Sequence, residues 1–107
     1  MENPSVYIPL GSTSVVTFDF GQRLEESEVI TGTPTVLEVS TTGELSITDA
    51  QVNSVADLDN AVEVGKAAQF LISTTSTVCK TYELSVTVAT TGTPAQTLAD
   101  RLDVIFI

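Results

Sequence analysis

Residues 81–88 read Thr81-Tyr82-Glu83-Leu84-Ser85-Val86-Thr87-Val88, apolar at each even position and polar at each odd one. A period of two sends alternate side chains to opposite faces, so this segment is a strand with one face to bury and one to wet. The even phase holds upstream at Val62, Val64, Ala68, Phe70 and Ile72, and downstream at Leu102, Val104 and Phe106. Residues 62–107 therefore predict strands in succession. Ala67 to Ser73 and Thr77 to Thr90 are separated only by Thr74, Thr75 and Ser76, which is hairpin length. Thr91 to Gln96, with Gly92 and Pro94, makes a second turn before a last strand that runs from Thr97 or Leu98 to Ile107.

The first half carries the same signals more weakly. Val6 to Leu10 reads as a first edge strand, where Pro9 fits because an edge residue needs no ladder donor. Ser14 to Phe20 follows, with Val16, Phe18 and Phe20 on one face. Gln22 to Glu28 is too short for an independent helix and reads as one helical turn or a loop pinned by Leu24. Val29 to Thr31 leads to a turn at Gly32-Thr33-Pro34, then a strand from Thr35 to Ser40 and a turn at Thr41-Thr42-Gly43. A strand from Leu45 to about Val52, a loop through Asn60, a strand from Ala61 to Val64 and a bend at Gly65-Lys66 complete the pass. Thr-Gly-Thr-Pro occurs at Thr31 to Pro34 and again at Thr91 to Pro94, and reads as repeated turn chemistry rather than as a duplication.

About seven or eight short strands, with turn signals roughly every 8–12 residues, predict one all-β domain over residues 1–107. The expected architecture is an immunoglobulin-like antiparallel β-sandwich, with a small closed β-barrel as the alternative. The chain has no Trp and one Cys, so the buried Trp and cross-sheet disulfide of antibody domains are absent. At 107 residues, with 42% hydrophobic residues, it is long enough for one core without metals or cross-links. Seventeen threonines and ten serines suit wide, wet strand faces, because Thr is β-branched and its hydroxyl tolerates water.

The formal net charge is −10, from 14 acidic and 4 basic residues. Arg23, Lys66, Lys80 and Arg101 cannot form a basic stripe, so neither nucleic acid nor an anionic membrane is an expected partner. No run approaches the roughly 20 apolar residues of a membrane-spanning helix. The N-terminal Met1-Glu2-Asn3-Pro4 has no basic-then-apolar leader, so synthesis in a cytoplasm, followed by solubility until recruitment, is the expectation.

The chain has no His, which removes the commonest general base and metal ligand together with every Ser-His or Cys-His pair. Cys79 stands alone and reads as a free structural thiol. The six glycines are scattered, and none precedes a Lys-Ser or Lys-Thr pair as a phosphate loop requires. Carboxylates remain. Asp57, Asp59 and Glu63, with Asn60, supply oxygens of the kind Ca²⁺ takes, but Val62 stands where an EF-hand loop needs its glycine. Glu25, Glu26 and Glu28 form a second acidic group. Solvated acidic loops are the plain reading of both, and no cofactor and no catalytic residue are expected.

Two stretches carry a family resemblance. One is Phe18-Asp19-Phe20 followed by Leu24, Glu28 and Ile30. The other runs from Gly65 to Ile107, with Phe70, Tyr82, the Thr-rich turn at Thr90 to Thr93, and Arg101-Leu102-Asp103-Val104. Together they resemble the small immunoglobulin-like virion proteins of tailed bacteriophages, described as fibre–tail adaptors or head decoration proteins. The chain departs from that pattern at Phe20, where Trp is common, and at Gly65, where two glycines are usual. The resemblance implies a non-enzymatic particle protein, made in the host cytoplasm and located in the virion. It implies capsid, neck, tail or fibre subunits as partners, and several copies in one particle. Val6, Ile8 and Leu10 are the expected interface, through strand addition at a sheet edge. The alternative function is a carbohydrate- or receptor-binding β-sandwich module.

Overall fold

The computed structural model describes residues 3–54, 62–92 and 94–107. Seven strands follow one another there: β1 (Ser5–Ile8), β2 (Ser14–Asp19), β3 (Ile30–Glu38), β4 (Leu45–Val52), β5 (Ala67–Thr74), β6 (Thr81–Thr90) and β7 (Thr97–Phe106). A 3-10 turn at Gly21–Arg23 follows β2, and Leu24 beyond it packs against the core.

The strands form two sheets, β1-β7-β6-β3 and β2-β5-β4. Both keep open edges, so the molecule is a sandwich and not a closed barrel. The pairing of β2-β5-β4 with β3-β6-β7 is the B-E-D over C-F-G arrangement of immunoglobulin domains. The first strand sits in the second of these sheets, paired with β7 in the one parallel ladder among the described strands.

Alternation builds the core. Along β6, Tyr82, Leu84, Val86 and Val88 are buried, while the residues between them are exposed or half-buried. They meet Val16 and Phe18 of β2, Phe70 and Ile72 of β5, and Leu102, Val104 and Phe106 of β7 in one apolar cluster. Phe18 and Phe20 lie 4.9 Å apart between ring centres, and Tyr82 meets Phe106 edge-on at 5.7 Å. Leu84, fully buried, lies two residues after Tyr82 near the start of β6, where antibody domains carry a cysteine. The Tyr82 hydroxyl reaches the Glu44 carboxylate at 2.9 Å and the Thr74 hydroxyl at 3.1 Å, tying the loop after β3 to the end of β5.

Four sequence expectations change. The segment between Ala67 and Thr90 is not a hairpin: β5 and β6 lie in different sheets, and β6 begins at Thr81 rather than Thr77. The connection has six residues, enough to cross the sandwich. Gly32-Thr33-Pro34 is not a turn but a bulge inside β3, between the paired residues Thr31 and Thr35. Gly32 takes a φ of +75° there, so the residue types that suit a turn also suit the bulge. Val62 makes only an isolated bridge, so no strand extends to Val64. Finally, β1 runs parallel rather than antiparallel to its neighbour.

A second bulge interrupts β4. Thr48 pairs with Leu71 and Gln51 with Gln69, so β4 carries one extra residue. Asp49 takes a φ of +56° at that point. The extra residue moves the inward phase from Ile47 to Val52, and both pack on the core.

Candidate functional site

Among the described residues, three connections meet at one end of the sandwich: residues 20–29 after β2, 53–54 and 62–66 after β4, and 91–92 and 94–96 after β6. Their buried polar residues hold them together. The Lys66 side chain is only 6% exposed, and its Nζ donates to the carbonyl oxygens of Glu25 at 2.9 Å and Glu26 at 2.8 Å. Asn53, 2% exposed, accepts at Oδ1 from the amides of Gly65 and Ala67 and donates from Nδ2 to the Glu63 carbonyl. Phe20 donates its amide to the Lys66 carbonyl and Ile30 to that of Gly65, so this segment serves both sheets.

Glu28 closes the third side. Its carboxylate accepts the Glu25 amide at 3.1 Å. The Thr90 hydroxyl above all, then the Glu25 and Gly92 amides and the Lys66 charge, hold its pKa below the ordinary carboxylate value against the opposing effect of burial. Val29 and Thr91 clamp the same junction: the Val29 amide donates to the Thr91 hydroxyl and the Thr91 amide to the Val29 carbonyl. No buried side-chain nitrogen or oxygen among the described residues lacks a hydrogen-bond partner. Each of these groups is therefore engaged in joining loops, which is a structural task.

A surface hollow of about 320 Å³ opens beside them, lined by Asp19, Gly21, Gln22, Leu24, Glu26, Glu63 and Lys66. Of the Ca²⁺ candidates, Asp57 and Asp59 lie outside the described residues. Glu63 is exposed, and it lines the hollow together with the cationic Lys66. A resident cation opposes a second one by Coulomb repulsion. Among the described residues no group of three acidic or sulfur ligands converges on a point. The hollow also lacks the aromatic side chains on which sugar rings stack.

The opposite end has a different character. On the outer face of the four-stranded sheet, Tyr7 of β1 pairs with Ile105 of β7, and Ile105 with Thr81 of β6. Tyr7 is 63% exposed and Ile107, two residues beyond Ile105, is 61% exposed. Cys79 is exposed in the loop before β6, and it lines an open groove of about 500 Å³ with Lys80, Thr81, Ile105, Phe106 and Ile107. The Lys80 ammonium is bound to the Glu44 carboxylate at 3.0 Å, so the groove is apolar along most of its wall. That hydrogen bond raises the Lys80 pKa. The same bond, with the Tyr82 hydroxyl second, lowers the Glu44 pKa.

The three residues expected to form an interface divide. Ile8 is 2% exposed and belongs to the core, while Val6 and Leu10 are half-buried against it. Their side chains hold β1 onto its own domain. The strand still has a free outer edge. Asp103 donates to the Pro4 carbonyl and Ile107 to that of Ile8, so the even residues of β1 face β7. In a parallel ladder alternate residues point the other way, leaving the amides and carbonyls of Ser5 and Tyr7 directed outward. The residue that sequence reading missed is Tyr7, the exposed large side chain on this strand; its odd position opposite Ile8 was the available signal.

The residues behind the family resemblance prove to be structural. Phe18 and Phe20 meet at a tilt in the core, Ile30 is buried in the same cluster, Leu24 packs against it, and Glu28 is the loop clamp. No protein-family model matches this chain, and no curated protein or solved structure matches it either. The strand order alone relates it to immunoglobulin-like sandwiches.

Proposed function

We propose that this chain is a non-enzymatic structural protein of a tailed-phage particle. It joins neighbouring subunits as a tail or neck adaptor, or as a head decoration protein, through sheet surface rather than through a pocket. One observation carries the reading. The buried polar groups are committed to joining loops, while an apolar corner made by Tyr7, Ile105 and Ile107 stands open beside the free edge of β1. Such a corner, next to outward-pointing backbone groups, suits an added strand: the backbone supplies register and Tyr7 supplies an anchor. The net charge of −10 keeps the free protein soluble before assembly. The resemblance of Phe18-Asp19-Phe20 and of residues 65–107 to small virion proteins supports the particle assignment.

Quantitative mass spectrometry of particles made by the genome that encodes the chain tests this. A fixed stoichiometric amount is expected, high for a head decoration protein and low for an adaptor. Particles that lack the protein would refute the reading. A Tyr7→Ala variant should fold normally and be under-represented in particles. The carbohydrate-binding alternative has less support, because neither the hollow nor the groove offers a sugar an exposed aromatic platform together with polar groups.

A further inference from the structure

The sandwich has four sheet edges, and three of them are interrupted. β1 is four residues long and lies between Pro4 and Pro9. β3 is broken by the bulge at Gly32 to Pro34, and β4 by the bulge at Asp49. Short strands, prolines and bulges limit an open edge to brief pairing, such as that at Ser5 and Tyr7 of β1, and discourage long, regular pairing with another chain. β2 has none of them. Its six residues, Ser14 to Asp19, pair with β5 in unbroken register. They include no proline, glycine or lysine, and the only charge is on the last residue.

The direction of its backbone groups follows from one bond. Phe20 donates to the Lys66 carbonyl at 2.9 Å, continuing the β2–β5 register, so the even residues of β2 bond to β5. In an antiparallel ladder the odd residues then point the other way. Val15, Thr17 and Asp19 therefore direct their amides and carbonyls to the open side. Val15 is also 64% exposed.

We propose that this edge joins two copies of the chain, antiparallel about a two-fold axis at Val16. The result is one continuous sheet in the order β4-β5-β2 followed by β2-β5-β4 of the second copy. The arrangement is self-complementary, as a two-fold interface must be. Val15 exchanges both backbone bonds with Thr17 of the second copy, and Thr17 does the same with its Val15. Asp19 falls opposite Thr13 of the second copy, so no carboxylate faces another across the seam. A basic partner strand has nothing acidic to meet between Ser14 and Phe18, which favours an identical edge over a cationic one. A single strand seam is smaller than the roughly 1,000 Å² of a stable complex, so the dimer depends on concentration. The pairing follows from the strand edges alone and is independent of the virion assignment.

Sedimentation equilibrium of the full chain over a wide concentration range tests it. The weight-average mass should climb toward twice the monomer mass. It should climb further at high salt than at low salt, because screening weakens repulsion between two strongly acidic molecules. Val15→Pro removes an outward amide donor without touching the β2–β5 ladder, and Val15→Lys sets a charge on each side of the seam. Both should keep the wild-type circular dichroism and lose the dimer. If the proline variant misfolds, the lysine variant decides. Three results would overturn the proposal: a wild type that stays monomeric at the highest concentration in both salts, a folded lysine variant that dimerises as well as wild type, or a wild type that pairs only with a strand from another protein.

Discussion

The carboxylate of Glu28 occupies the space in which a side chain at residue 92 would begin. A Cβ added to Gly92 would collide with Oε2 of Glu28, so a side chain at residue 92 would push this carboxylate away from the Glu25 amide that it accepts. Gly92 does not have the positive φ that usually explains a turn glycine; its requirement is one of space.

Gly92→Ala should therefore destabilise the protein by about 1–3 kcal/mol, the usual cost of parting a charged acceptor from its donors. Chemical denaturation measures this. In a Glu28→Ala background, itself weakened by loss of the Thr90, Glu25 and Gly92 hydrogen bonds, the Gly92→Ala change should cost less, since the shorter side chain vacates the contested space. An equal cost in both backgrounds would contradict the geometry.

Acid should act at both ends of the sandwich and base at one. Glu28 and Glu44 both have lowered pKa values, so each binds its proton more weakly folded than unfolded. Their contribution is complete above the ordinary glutamate value, about 4.3, and is lost as pH falls through the lower folded values. Lys80 is raised, so its contribution is complete below about 10.4 and is lost as pH climbs through the higher folded value. Melting temperature against pH should be flat between these limits and fall outside them. Glu44→Gln should flatten both shoulders, because it removes the partner of Lys80. Glu28→Gln should affect only the acid one.

Lys66→Met should leave the sheets intact and loosen one loop. The substitution keeps a long apolar stem but strips the Glu25 and Glu26 carbonyls of their donor, a loss of about 1–3 kcal/mol for a buried polar group left unsatisfied. Hydrogen exchange should quicken over residues 21–30 and stay unchanged along the centre of β6. Uniform quickening would show that the contact is global rather than local.

Leu84→Ala should cost about 2–5 kcal/mol, because Leu84 is fully buried at the centre of the core. Leu37→Ala, on a side chain 62% exposed, should stay within about 0.5 kcal/mol. The pair tests the assignment of inner and outer faces with one residue type.

Strand existence could be read from the chain because alternation reports a half-buried strand directly, as at Tyr82 to Val88. Which strands share a sheet could not. A short polar link such as residues 75–80 looks the same whether it turns back within a sheet or crosses to the other, and only the packing of β5 on β2 and β4 decides. Gly32 and Pro34 misled for a related reason: a left-handed residue and a missing donor serve a bulge as well as a turn. The buried Lys66 and Glu28 belong to the illegible part as well. A charged side chain is predicted to be wet, and its burial arises when three loops distant in sequence converge and supply their backbone groups to it. Glu28 stood out by resemblance and as one of a solvated acidic group, and Lys66 as one of four dispersed cations and part of a bend.

The parallel ladder between β1 and β7 has a consequence for how the molecule is made. Ser5 meets Asp103 and Ile8 meets Phe106, so β1 leaves the ribosome long before the strand that shelters it. Contacts so far apart along the chain form slowly. Until β7 has been made, the stretch containing Ile8 lacks its partner strand, a co-translational interval in which its apolar side chain is unsheltered.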